Sequence, residues 1–268
     1  MSDLTQSVEL KLARAGLQLQ SLSGSIAAWV TSNPMAADTE LREGRLGFRL
    51  VQREFLEPAP LDEWGLSLGE CVHNLRSALD NLAFALARLR RDPPDKPQRI
   101  AFPIFQDRAQ FEKVGRGNID QLPDQAVSLI ERLQPFQRDG SAAFGTPERD
   151  ALVLLQWLSN ADKHRVPSVV LIAPTTMTHN VSAAFYSDED ATANVPPDVT
   201  FWAGPLKAGA VLVEWRTNRP IASVSGSFEG IAIVAIQTPH ELAAVVPTLQ
   251  ALHQYTRLVA SQFSGFFQ

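Results

Sequence analysis

Apolar positions at three- and four-residue spacing open the chain. Leu4, Val8, Leu12, Ala15, Leu19, Leu22 and Ile26 recur with Glu9, Lys11 and Arg14 between them. That period belongs to an amphipathic helix from Leu4 to Val30. Ser32-Asn33-Pro34 ends it, because the residue before proline disfavours helical geometry. From Gly44 to Leu56 the period changes to two: Leu46, Phe48 and Leu50 alternate with Gly47, Arg49 and Val51, which predicts a strand. A second long helix begins near Leu61, just after Pro58 and Pro60, and runs to about Arg90. Its last turns are apolar and then basic, as suits a helix C-terminus.

Residues Asp92 to Pro103 read as a loop that leads into Ala101-Phe-Pro-Ile-Phe105, and a shorter helix follows Pro123 and reaches about Leu133. Thr146-Pro147-Glu148 has the cap and first-turn proline of a helix start. The helix it is expected to open, ALVLLQWLSNADKH, is apolar on nearly every side around Leu152 to Leu158, the pattern of a helix buried all round. After Pro167 the pattern becomes that of strands: Val169 to Ala173, Val181 to Tyr186, Val199 to Trp202, Ala210 to Arg216 and Ile231 to Ile236. Ser187 to Asp190 reads as a solvated loop. A last helix is expected from Thr238-Pro239-His240-Glu241 to Phe267. The order helices, strands, helix is that of an α+β protein: a helical bundle with a segregated antiparallel sheet over about residues 167–236 and a closing C-terminal helix. The expected division is a helical part, 1–166, and a part holding the sheet and last helix, 167–268, unless the final helix returns to the bundle and makes the sheet an insertion.

The 268 residues are 45% hydrophobic and 20% charged, which excludes a disordered, collagenous or disulfide-rich chain. A net charge of −5 argues against a surface that tracks nucleic acid everywhere. A single cysteine, Cys71, implies a reducing, cytoplasmic compartment, and its place beside the apolar stripe makes it a buried structural thiol. The first residues carry charges every few positions, unlike a signal peptide, and no stretch is long and apolar enough to be a membrane span, so no membrane partner is expected.

The candidate chemistry lies on two helices. On the second long helix Glu70, His73, Ser77 and Asp80 share one face, flanked by Asn74 and Asn81, while Leu68, Val72, Leu75, Leu79, Leu82 and Leu86 form the opposite stripe. Solvated helix faces favour Lys, Glu and Gln; this one carries His, Asn, Ser and Asp. The second segment is Asn160-Ala-Asp162-Lys163-His164-Arg165, whose cations also suit a helix C-terminus without any function. Side-by-side packing of the two helices would bring His73, Arg76, Asp80, Asp162 and His164 together. Three chemistries fit. Glu70 and His73 form half of the Glu-x-x-His pattern of carboxylate-bridged metal sites, without a second copy. Metal-free acid–base chemistry would use His73 or His164 as proton carrier, with Arg76 stabilising an anion. A structural network would pair Arg76 with Asp80 at i+4.

The segments LRSALD (Leu75 to Asp80), FPI (Phe102 to Ile104) and DKHR (Asp162 to Arg165) resemble those of a bacterial family without an assigned activity, over roughly residues 60 to 170. More remotely, the bundle with Arg76 is similar to the HEPN class of helical ribonucleases, in which an Arg and a His on one helix cleave RNA without metal, usually across a dimer. Here Asn81 stands five residues after Arg76, and no histidine occupies positions 81 to 83. The resemblance implies an RNA-directed homodimer of toxin or phage-defence type. His73, Arg76, Asp80 and His164 would be its catalytic candidates; Asn74, Asn81, Asn160, Asp162, Lys163 and Arg165 its substrate-binding ones; no cofactor would be needed. The stretch Arg88 to Arg116, with eight Lys/Arg against four acids, is the candidate RNA-binding patch. A metal-dependent or acid–base enzyme acting on a small molecule, with a divalent ion at Glu70 and His73, and a non-catalytic binding or assembly protein are the alternatives.

Overall fold

The structure, a computed structural model, describes residues 3–141, 145–164, 169–172, 178–179, 181–194, 198–202, 204–226 and 228–268, with the backbone alone at 3, 4, 163, 164, 178, 179 and 229. In chain order the elements are α1 (Asp3–Ser32), β1 (Ala37–Leu41), β2 (Gly47–Gln52), α2 (Leu61–Arg90), α3 (Arg108–Lys113), α4 (Asp124–Arg132) and α5 (Ala151–His164). Next come β3 (Val169–Ile172), β4 (Thr178–His179), β5 (Ser182–Phe185), α6 (Asp188–Ala193), β6 (Asp198–Phe201) and β7 (Val211–Arg216). The chain closes with β8 (Ile221–Ser225), β9 (Phe228–Glu229), β10 (Ile233–Gln237), β11 (Leu242–Ala244) and α7 (Val245–Ser261). This is an α+β fold with a C-terminal helix. The chain divides into two compact units: residues 1–23, 62–168 and 236–268, and residues 24–61 and 169–235. Residues 167–268 therefore do not stay together; α7 belongs with the helices, and the strand segment is inserted before it.

In the helical unit the apolar stripe of α2 is the core: Leu68, Val72, Leu75, Leu79, Leu82 and Leu86 are all buried. α1 runs antiparallel to α2, because Lys11 bonds Asn74 while Gln18, further along, bonds Glu70. Val8, Leu12, Ala15, Leu19 and Leu22 are the buried side of α1. α7 packs on α1 as well, with His253 Nε2 3.1 Å from the Leu12 carbonyl oxygen.

In the strand unit β1, β2, β7 and β6 form a four-stranded antiparallel sheet in that order. β2 is a central strand, so the sheet draws on the first half of the chain and is not confined to residues after 167. Phe48 and Leu50 face the core from β2, and the Phe48 ring stacks on Trp215 of β7 at 5.5 Å. Gly47, at φ +121°, is required where β2 meets β7: a Cβ there would lie 2.0 Å from the Trp215 carbonyl oxygen. β5 pairs with β8 and β4 with β9, also antiparallel.

Several local expectations are corrected. The strand predicted over Gly44 to Leu56 is shorter: Gly44 and Arg45 turn with positive φ, and pairing stops at Gln52. Thr146-Pro147-Glu148 opens only a 3-10 turn, Pro147–Arg149. Asp150 is extended and its carboxylate accepts from the Leu152 amide at 2.8 Å, so it caps α5 at Ala151. α5 is not buried all round; Leu152, Leu155, Leu158 and Ser159 are inside, and Asn160 is exposed. Ser187 to Asp190 is no loop but the start of α6, with Ser187 Oγ accepting from the Asp190 amide at 3.1 Å. At the predicted last helix start, Thr238 Oγ1 donates to the Glu241 carbonyl oxygen at 2.7 Å, closing a turn before β11. α7 starts only at Val245 and stops at Ser261.

Candidate functional site

The polar face of α2 is shared between two neighbours. On the α1 side Asn74, mostly buried, donates to Gln18 Oε1 at 2.9 Å and accepts from Lys11 Nζ at 3.1 Å. Gln18 Nε2 in turn donates to Glu70 Oε2 at 2.7 Å. Asn81 lines a shallow depression with Gln6, Leu10 and Phe84 of the same two helices. Glu70, Asn74 and Asn81 thus turn toward α1. Among the described residues no three His, Cys, Asp or Glu side chains converge, and Glu70 and His73 gain no third ligand. Cys71 lies under this contact, its thiol directed at the Ala15 carbonyl oxygen at 3.5 Å and pushed up to about 12 by burial. A neutral buried thiol of this kind is inert.

The other side of α2 carries Gly69, His73, Arg76 and Asp80. Gly69 is a contact point with α5: a Cβ there would stand 2.0 Å from Asp162 Oδ1. The end of α5 therefore meets α2 one turn before His73. His73 is exposed, with its Nε2 3.4 Å from Ser77 Oγ. The side chains of Lys163 and His164, and all of Arg165, lie outside the described residues. Asn160 and Asp162 diverge around α5: Asp162 continues the inward row of Leu152, Leu155 and Ser159, whereas Asn160 continues the row Val153, Gln156, Trp157.

Arg76 and Asp80 meet the FPI segment. Arg76 Nη2 donates to Asp80 Oδ1 at 2.9 Å and to the Phe102 carbonyl oxygen at 2.6 Å. The Phe102 amide donates back to Asp80 Oδ1 at 2.9 Å. Burial lowers the Arg76 pKa, and Asp80 opposes that shift by favouring the charged form. One residue further, the fully buried Gln134 takes over: its Nε2 donates to the Pro103 carbonyl oxygen at 2.8 Å and its Oε1 accepts from the Phe105 amide at 3.1 Å. Residues 102–105 belong to no helix or strand and are held by side chains of α2 and by Gln134, two residues past α4.

That clamp places Ile104 and Phe105 on one wall of a cleft of about 600 Å³. The opposite wall is the outward row of α5, Val153, Gln156, Trp157 and Asn160, at i, i+3, i+4 and i+7. Gln156 Nε2 donates to Asn160 Oδ1 at 2.9 Å, which orients the Asn160 amide group. Asp107 and Glu148 add carboxylates at the rim, and His240 reaches in with Nε2 3.2 Å from the Glu148 carbonyl oxygen. The Glu148 carboxyl is held below its usual range by its own backbone amide, the Thr146 hydroxyl and the nearby His240. Of the sequence-derived site residues whose side chains are described, only Asn160 lines this cleft. The signal that would have found its wall is the mixed row 153, 156, 157, 160, half apolar and half carboxamide.

The basic stretch is largely neutralised. Arg88 pairs with Asp92, Arg91 with Asp95, Arg108 with Glu131, and Arg116 with both Glu112 and Glu131. Arg90 donates to the carbonyl oxygens of Asp120 and Leu122. Among the described residues no helix is long and apolar enough to cross a membrane. No protein family, curated protein or solved structure matches this chain.

Proposed function

We propose that the helical unit binds a small planar organic ligand in the cleft between the Ile104–Phe105 segment and α5. One observation carries this reading: a cleft of about 600 Å³ whose walls pair aromatic and aliphatic side chains with carboxamides, Gln156 and Asn160 on one wall and Gln106 and Gln110 beside the other. Ligand sites are concave, mostly apolar, and set orientation with a few polar groups, and this is the composition here. Trp157 and Phe105 supply aromatic surface, and the Asn160 amide supplies a hydrogen-bond donor for a carbonyl or ring nitrogen. The test is a titration of benzamide, which carries a ring and an amide, followed by ligand-observed NMR. Binding is expected in the native chain, lost in Trp157→Ala and weakened about tenfold in Asn160→Ala, the size of one hydrogen bond. Binding that is absent, or unchanged in a folded Trp157→Ala variant, overturns the reading.

A second reading is supported by the contact of Gly69 with Asp162. It brings the end of α5 to α2 one turn before His73, on the helix that carries the Arg76 of the HEPN-type resemblance. On that reading a single-stranded RNA binds with steep salt dependence, an Arg90/Arg91/Lys96 triple alanine weakens it, and His73→Ala removes cleavage. Unchanged RNA binding in the triple variant counts against it. The pairing of Arg88, Arg91, Arg108 and Arg116 with acids leaves less free positive charge than such a role favours.

A further inference from the structure

Resting on the reading of this cleft as a binding site, we infer that its ligand is an organic cation: a primary or methylated ammonium group carried on an aromatic or alkyl body. The lining holds two carboxylates, Asp107 and Glu148, and neither Lys nor Arg. The nearest cations in sequence are turned to other partners. Arg108 pairs with Glu131 at 2.8 Å and lies over the Phe136 ring at 4.7 Å, and Arg149 stands 3.8 Å from Glu241. With His240 the one basic side chain in the lining, an anion would meet net negative charge at the rim wherever that imidazole is neutral, and a cation would meet complementary charge.

The walls favour the same ligand. Trp157 and Phe105 put two aromatic rings in the walls; such rings attract ammonium groups through the negative face of the π system, and Trp is the strongest of the aromatic partners. Asp107 is fixed by its role as the cap of α3, where its Oδ1 accepts from the Gln110 amide at 2.8 Å. That leaves its second oxygen for a ligand. The polar row Gln156–Asn160 then selects among cations by hydrogen bonding.

The experiment compares three probes of one shape, benzylammonium, benzyl alcohol and benzoate, at about pH 8, where histidine is neutral. Benzylammonium is expected to bind about tenfold more tightly than benzyl alcohol, within the range of a cation over an aromatic face, and benzoate to bind least. The advantage should fall with added salt and shrink in an Asp107→Asn/Glu148→Gln variant, whose Asn still caps α3 and which keeps only the aromatic attraction. If benzyl alcohol binds as tightly as benzylammonium and Trp157→Ala removes both, the cleft stands as a site and the charge selection falls. If none of the three binds, cleft and selection fall together.

Discussion

Two non-helical segments of this chain hold their backbone groups in opposite ways. β2 lies between β1 and β7, and its amides and carbonyls are paired along both edges by other backbones. Residues 102–105 have no such neighbour. The Phe102 amide and carbonyl, the Pro103 carbonyl and the Phe105 amide are taken by three side chains, Arg76, Asp80 and Gln134. A backbone ladder tolerates side-chain replacement, because the partners are present in every residue type except proline. A side-chain clamp does not: each replacement leaves a buried donor or acceptor with nothing in its place.

The difference can be broken most forcefully at Gln134. Gln134→Ala orphans the Phe105 amide and the Pro103 carbonyl at once, and should cost about 3 kcal/mol, read from the urea midpoint. Asp80→Ala follows, at about 2 kcal/mol, because it strips the Phe102 amide and leaves Arg76 with one carbonyl for its charge. Both variants should also weaken benzamide binding, since they release the wall that carries Ile104 and Phe105. Unchanged stability in either would show that the segment is held by its apolar contacts instead.

Gly69→Ala sharpens the comparison at the other side of α2, where packing and not hydrogen bonding is at stake. Its methyl group collides with Asp162, and overpacking of this kind costs about 2 kcal/mol. Adding Asp162→Ala should recover most of the loss, a coupling that a double-mutant cycle measures.

A smaller effect is expected from acid. The Glu131 carboxyl is held below its usual range by hydrogen bonds from Arg116 and then Arg108. A depressed folded pKa means that its stabilisation is present above the unfolded value of about 4.3 and is lost as the pH falls through the folded value. Glu131→Gln should therefore flatten the stability profile below about pH 4, and an unaltered acid limb would remove Glu131 as its source. The smallest change belongs to the sheet. Arg49→Ala should shift stability by no more than about 0.5 kcal/mol, because Arg42 and Arg216 remain on Glu214 and the ladder of β2 is untouched.

Legibility follows the same physics. The limits of α2 could be read directly, since its apolar period, the prolines before it and the basic residues at its end all agree. So could the Arg76–Asp80 pair, which is local. The start of α5 is not legible, because Thr146-Pro147 and Asp150 compete as caps, and only the carboxylate that reaches the Leu152 amide decides between them. Thr238-Pro239 misled for a related reason, as its hydroxyl closes a turn before β11. β1, with the sequence ADTEL, has one half-buried residue and four exposed ones, so no alternation marks it. The cleft was invisible because its walls lie about fifty positions apart and its apolar side chains look, in sequence, like core.

The sequence by itself determined the α+β order of elements, the core stripe of α2, the inert place of Cys71 and the i+4 ion pair, because each rests on periodicity or on neighbours within a few residues. Tertiary structure decided the rest. It parted Asn160 from Asp162 around α5, gave Arg76 and Asp80 a backbone segment to hold, and opened a cleft beside them. Those outcomes depend on which distant groups compete for the same donors and the same space, and a one-dimensional pattern carries no record of that competition.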